Sequence, residues 1–181
     1  MKKKIFIGIG IFAIIVVAAM MYLNNRNRTL SPPGSATLTD GDLAVSITYS
    51  RPSVRGRVIF GTQEEGALQP YGAYWRLGAN ESTEITVNRD ISFNGQPIKA
   101  GTYRMYAIPG ATEFDIILNT ELGKWGAFEP DHNLDILTTK VPVQKPSSPV
   151  EQFTISLDRT EGGINVICEM AETMFIIPLT R

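Results

Sequence analysis

With 181 residues, 43% of them apolar and 19% charged, the chain has side chains enough for one packed domain plus an extra segment, which excludes a disordered or low-complexity protein. Five of its 17 basic residues fall within the first 28 positions, where no Asp or Glu occurs; the remaining 12 stand against 18 acidic residues, so the chain beyond residue 28 has a net charge of −6 and is a poor nucleic-acid binder. The single cysteine, Cys168, excludes an intrachain disulfide.

Lys2, Lys3 and Lys4 precede Ile5–Leu23, an uncharged run interrupted only by Gly8, Gly10 and Tyr22. As a helix it would be roughly 28 Å long, close to the hydrocarbon thickness of a bilayer. It is apolar on every face, which a buried soluble helix is not. Three lysines and the amino terminus lie before it and only Arg26 and Arg28 after it, so the charge bias predicts a single-pass anchor in the cell membrane. The N-terminus is then cytoplasmic and the rest of the chain extracytoplasmic, in the periplasm if the cell has an outer membrane. The competing reading is a cleaved signal peptide, since Val17 and Ala19 have the small-residue spacing of a cleavage site; Met20–Leu23, which carry the apolar run past it, favour the anchor. Both readings export the remainder of the chain. The polar, proline-bearing Asn24–Gly34 reads as a stalk, which divides the chain into an anchor (1–28), a stalk (29–34) and a domain (35–181).

From there the hydrophobic period is two. Asp40-Gly41 marks a hairpin turn, after which Leu43, Val45, Ile47 and Tyr49 alternate with Ala44, Ser46 and Thr48. Arg57–Phe60 is a short second piece, followed by an irregular loop to Gly72. Glu84–Asn88 comes next, then Ile91 and Phe93 running into Asn94-Gly95, then Thr102–Ile108 ended by Pro109-Gly110, then Phe114–Leu118. Beyond the Gly123–Pro130 loop lie Asp135–Val143, Phe153–Leu157, Ile164–Met170 and Met174–Leu179. Nine or ten short strands without a helical period predict an all-β fold, an antiparallel sandwich or barrel. The proline-rich stretch from Val141 to Val150 is a loop inside one domain, because the roughly 32 residues after it are too few to fold alone. Cys168 alternates with Ile164, Val166 and Met170, as a small buried apolar residue would.

Five runs carry a resemblance: YSRPSVRGRVIFG (Tyr49–Gly61), YWRLGANEST (Tyr74–Thr83), AGTY (Ala100–Tyr103), IPG (Ile108–Gly110) and Trp125-Gly126. Together they resemble the bacterial domain of unknown function 2911 family over Ser31–Leu179. The resemblance implies an exported or membrane-associated β-domain and supplies no established activity. The chain departs from the family pattern at Leu77, where a threonine is expected, and in carrying an anchor where a cleavable signal is commoner.

Arg51, Arg55 and Arg57 fall within seven positions, and Arg76 follows Trp75. Guanidinium groups bind carboxylate and phosphate oxygens in bidentate fashion, so a cluster of them attracts anions. Alternatively, Glu81 and Glu84, with Glu64 or Glu65, neutralise the arginines in a structural network in which Arg76 bridges Glu81 or Glu84. Gly78-Ala79-Asn80-Glu81 is either a close backbone approach to a ligand or a turn entering the next strand. Tyr71, Tyr74, Trp75 and Trp125 are either a platform for a sugar or peptide or caps on the open end of a sandwich. The candidate ligand-binding residues are thus Arg51, Arg55, Arg57, Trp75, Arg76, Asn80, Glu81 and Trp125.

His132 is the only histidine, and Asp131 and Asp135 beside it lack the nitrogen and sulfur partners of a zinc site, so neither metal nor cofactor is expected. No nucleophile-elbow pattern surrounds Ser50 or Ser53, and no glycine-rich phosphate loop precedes a helix. Two functional classes remain. One is a tethered binding or scaffolding module for an anionic, sugar-bearing or protein ligand. The alternative is an extracytoplasmic hydrolase using Glu81 or Glu84, a pair that adjacent arginines would hold ionised and ill-suited to act as general acid.

Overall fold

The computed structural model describes residues 2–181, with side chains from residue 6 onward. Helix α1 spans Lys2–Leu30, and from Phe6 onward its apolar side chains are exposed except Val16 and Leu30, which are half-buried. It is long and apolar enough to be a membrane anchor or a signal sequence. The helix continues through Asn24–Leu30, a stretch expected from its polarity to lie largely in the stalk. NNRNRTL contains no helix breaker, and only Pro32 and Pro33 end the run. The last turn closes with the Ser31 amide donating to the Asn27 carbonyl at 2.9 Å.

Beyond the helix the chain forms thirteen strands: β1 (Pro33–Asp40), β2 (Leu43–Ser50), β3 (Phe60–Gly61), β4 (Gln69–Pro70), β5 (Thr83–Val87), β6 (Ile91–Phe93), β7 (Gln96–Ile98), β8 (Gly101–Ile108), β9 (Glu113–Asn119), β10 (Asp135–Pro142), β11 (Val150–Thr160), β12 (Gly163–Ala171) and β13 (Thr173–Thr180). One antiparallel sheet has the order β1-β2-β5-β8-β9-β10 and the other β11-β12-β13-β6-β7, while β3 and β4 form a separate parallel pair. The fold is sandwich-like with no closed barrel, so of the two expected architectures the sandwich holds. The expected strand count falls short because β1, β4 and β7 carry no alternation signal. The sequence of β1 is PGSATLTD, and β7 contains Pro97, which an edge strand tolerates. The Asn94-Gly95 hairpin forms as expected, with positive φ at both residues (46° and 85°) and Phe93 opposite Gln96.

Leu43, Val45, Ile47 and Tyr49 face inward, against Phe153, Ile155, Ile164, Val166, Cys168 and Phe175 of the opposing sheet. Trp75, 2% exposed, joins them edge-to-face with Phe60 (4.9 Å between centroids) and Phe153 (5.2 Å). Strand β8 is buried on both faces. Tyr103, Met105 and Ala107 point into the core, while Arg104 and Tyr106 lie beneath the connection from β9 to β10.

Candidate functional site

A cavity of about 470 Å³ opens where α1 meets the sandwich. Two chain segments bring its arginines. The first leaves β2 at Ser50 and reverses at Arg55 and Gly56, both at positive φ (53° and 67°). Arg57 folds back over this turn, its Nε donating to the Val54 carbonyl at 2.9 Å and its Nη2 to the Ser53 carbonyl at 2.6 Å. Arg55 reaches the other way and donates through Nη2 to the Leu30 carbonyl at 3.1 Å, a cation at the negative end of α1.

The second segment is Tyr74–Ser82. Trp75 exchanges two backbone hydrogen bonds with Ala107 of β8 (2.8 and 2.9 Å), which pins its indole in the core, and the next side chain, Arg76, lines the cavity. Leu77, Gly78 and Asn80 then adopt φ of 53°, 137° and 57°. A Cβ on Gly78 would lie 2.6 Å from the Ser50 carbonyl oxygen, so only glycine lets this turn pack against the end of β2. The two arginine-bearing motifs meet at that contact. Asn80 Nδ2 donates to the Ser31 carbonyl at 3.0 Å and fastens the turn to the exit of α1.

The cavity's charges are one-sided. Arg55, Arg57 and Arg76 line it, and no Asp or Glu does. Among the described residues none of the three arginines forms an ion pair, and Arg76 has no protein acceptor for any of its donors. Burial lowers the Arg76 pKa, with Tyr74 opposing and Arg104 adding to the effect, so the folded protein holds this cation less comfortably than water would. Its stem packs on Gly126, where an added Cβ would stand 2.9 Å from Arg76 Cδ.

The expectation that Arg76 bridges Glu81 or Glu84 is therefore overturned. Glu81 pairs with Arg28 on α1, and the Glu84 carboxylate accepts from the Gly123 amide at 2.7 Å. Glu65 is taken up by its own loop, accepting from the Thr62 amide at 2.7 Å. Neither of the alternative catalytic carboxylates lines the cavity.

Trp125, 36% exposed, stands at the rim. Its loop is tied to the glycine-rich turn by Gly126 N donating to the Asn80 carbonyl (2.8 Å) and Ser82 N to the Lys124 carbonyl (3.0 Å). Behind the loop lies Arg104, 1% exposed, a residue that its sequence context does not single out. Its guanidinium donates to the Tyr74 hydroxyl (2.7 Å), the Phe128 carbonyl (2.7 Å) and Glu121 Oε2 (3.3 Å), and the Tyr74 hydroxyl in turn donates to the Gly126 carbonyl at 3.0 Å. A buried charge thus sets the position of the loop that carries Trp125. The available signal was Tyr103–Ala107, where large residues occupy both parities of one strand, as in a strand covered on both sides.

Of the eight candidates, Arg55, Arg57, Trp75, Arg76, Asn80 and Trp125 line one cavity. Arg51 does not; it donates to the Phe153 carbonyl (3.4 Å) and Thr154 Oγ1 (3.2 Å) and ties the end of β2 to β11. Glu81 lies beside the cavity in its pair with Arg28. The four aromatics do not form one platform. Trp75 is in the core, Tyr74 serves the Arg104 network, Tyr71 is exposed outside the cavity lining, and Trp125 alone offers a ring at the rim. His132 Nδ1 lies 3.0 Å from the Tyr106 hydroxyl and 3.1 Å from Asp135 Oδ2, and Asp131 caps the adjoining turn by accepting from Asn133 N at 3.0 Å. Among the described residues, no three His, Cys, Asp or Glu side chains converge as metal ligands would. Burial, together with the hydrogen bond to Asp135, pushes the Tyr106 phenol well above its usual range.

Residues 31–178 match the family described as "Protein of unknown function (DUF2911)", and the chain belongs to that family, as its sequence runs suggest. No curated protein and no solved structure matches it.

Proposed function

We propose that this DUF2911 chain is a membrane-tethered extracytoplasmic binding domain that takes an anionic ligand in the cavity at the end of α1. The observation that carries this reading is the convergence of Arg55, Arg57 and Arg76 on a cavity without a carboxylate. Three guanidinium groups repel one another, and partial burial removes the water that would screen them. The guanidinium groups of Arg57 and Arg55 are held by backbone carbonyls, which fix position without cancelling charge, while the Glu151 carboxylate, outside the lining, accepts from the Arg55 amide at 2.9 Å. Arg76 keeps its five N–H donors free, and a planar fork of that kind matches a phosphate or carboxylate in bidentate geometry. The surrounding domain is net acidic, so the basic cavity is a local feature, suited to one small anion and not to a polyanion.

The test is thermal melting of the full chain in neutral detergent with pyrophosphate, against sodium chloride at equal ionic strength. A site filled to a hundred times its Kd adds about 2.7 kcal/mol, which for a domain of this size raises Tm by roughly 5–10 °C. A saturable rise of that order supports binding. Melting that tracks ionic strength alone rejects it.

A further inference from the structure

We infer that the ligand of this cavity is the phosphate headgroup of a net anionic phospholipid from the bilayer that α1 enters. This rests on the tethered, anion-binding reading above and adds the source of the anion. The cavity stands at headgroup depth. The apolar run ends at Leu23, and at 1.5 Å per residue Asn27 and Leu30 stand about 6 and 10 Å further out, whereas each headgroup layer is roughly 5–8 Å thick. Both residues line the cavity, so its mouth lies at the level of lipid phosphates or just beyond. The placement is stiff. Only Ser31 and Pro32 separate α1 from β1, and Arg55, Asn80 and the Glu81–Arg28 pair clamp the helix end to the domain.

The lining is also mixed. Besides the arginines the cavity is lined by Leu30, Ile59, Leu68 and Met170, apolar side chains that a free inorganic anion does not use and a lipid's glycerol and first acyl carbons do. The rim has an interfacial composition as well. The loop carrying Trp125 also exposes Phe128 (73%) and Leu122 (40%) around Lys124, a set of aromatic, aliphatic and cationic side chains suited to the membrane interface. Lysines and arginines near an anionic surface each add about 1 kcal/mol of attraction, and the absence of a carboxylate from the lining disfavours a choline-type cation.

Trp75 and Trp125 are the chain's two tryptophans and both line the cavity, so intrinsic fluorescence reports its occupancy. The experiment titrates the full chain in neutral detergent with dihexanoyl phosphatidylglycerol, dihexanoyl phosphatidylcholine and glycerol 3-phosphate. Arg76→Met and Arg57→Gln are run alongside, with their melting temperatures as a check on folding. The expected result is a saturable change with the phosphatidylglycerol at a concentration at least tenfold below that needed of the other two probes. Each variant should shift it tenfold or more. Equal affinity for glycerol 3-phosphate overturns the lipid source and leaves the anion site standing, whereas no response to any probe rejects both. Equal affinity for the phosphatidylcholine overturns the anionic headgroup. Phosphatidylglycerol binding unchanged in two folded variants overturns the placement in this cavity.

Discussion

Replacing Arg76 by methionine separates a binding arginine from a structural one. The substitution keeps a methylene stem against Gly126 and removes only the guanidinium. A buried salt-bridge partner would leave a carboxylate stranded, at a cost on the order of 3 kcal/mol or more. Here no carboxylate is left behind, because Glu81 keeps Arg28 and Glu84 keeps the Gly123 amide. The group removed is a partly desolvated cation whose pKa burial has lowered. A base with its folded pKa below the unfolded value costs stability while charged, and at neutral pH arginine is charged in both states. Stability should therefore stay within about 0.5 kcal/mol of the parent or rise by up to about 1 kcal/mol, equivalent to roughly 2–4 °C in Tm. Binding should suffer instead. A charge-assisted hydrogen bond is worth about 1.5–3 kcal/mol, so pyrophosphate affinity should fall about 10- to 100-fold. Thermal melts with and without pyrophosphate give both numbers. Destabilisation by about 2 kcal/mol or more with affinity intact would refute the reasoning.

Arg104→Met, by contrast, strands Glu121 and the Phe128 carbonyl and should cost about 3 kcal/mol, discounted somewhat because Lys124 lies 3.3 Å from the same carboxylate. Glu121→Gln added to it should recover about 1 kcal/mol in denaturant melts, and strictly additive costs would count against the pair. Gly78→Ala combines a φ of 137° with a Cβ 2.6 Å from the Ser50 carbonyl oxygen. It should cost about 3 kcal/mol and lower Tm by roughly 6–12 °C; a melt within about 2 °C of the parent's contradicts the turn geometry. Tyr106 has a raised folded pKa, so its stabilising contribution is full below its ordinary value of 10.0 and declines as the pH rises past it, because the unfolded chain ionises first. Tyr106→Phe should flatten the loss of stability between about pH 10 and 11.5, and an unchanged alkaline slope would show that this phenol is not the group responsible.

The sandwich was legible where burial is one-sided. Leu43, Val45, Ile47 and Tyr49 alternate and all face the core, and Asn94-Gly95 names its own hairpin. It was illegible where strands are edges or short pairs, as in β1, β4 and β7, whose residues have little apolar face to declare. Five of the eight candidate residues, Arg55, Arg57, Trp75, Arg76 and Asn80, meet in one cavity because they belong to two motifs that the Gly78–Ser50 contact presses together, and Trp125 joins them through the bond from Gly126 N to the Asn80 carbonyl. Arg51 was indistinguishable in sequence from Arg55 and Arg57; it diverges because it still keeps the direction of β2, before the reversal at Arg55-Gly56. Ion-pair partners were also out of reach. Glu81 meets Arg28 across 53 positions only because α1 runs unbroken to Leu30, where polarity alone suggests a break.

The most direct test of an anion site built from three unpaired arginines observes the guanidinium groups themselves. Nitrogen-15 spectra of the arginine Nε–H groups of the full chain should show three signals, assigned to Arg55, Arg57 and Arg76 by substitution, moving together with one Kd as pyrophosphate is added. Arg51 and Arg104, which do not line the cavity, should stay where they are. Shifts scattered over the exposed arginines without saturation, or movement of Arg51 in place of Arg76, would contradict the site.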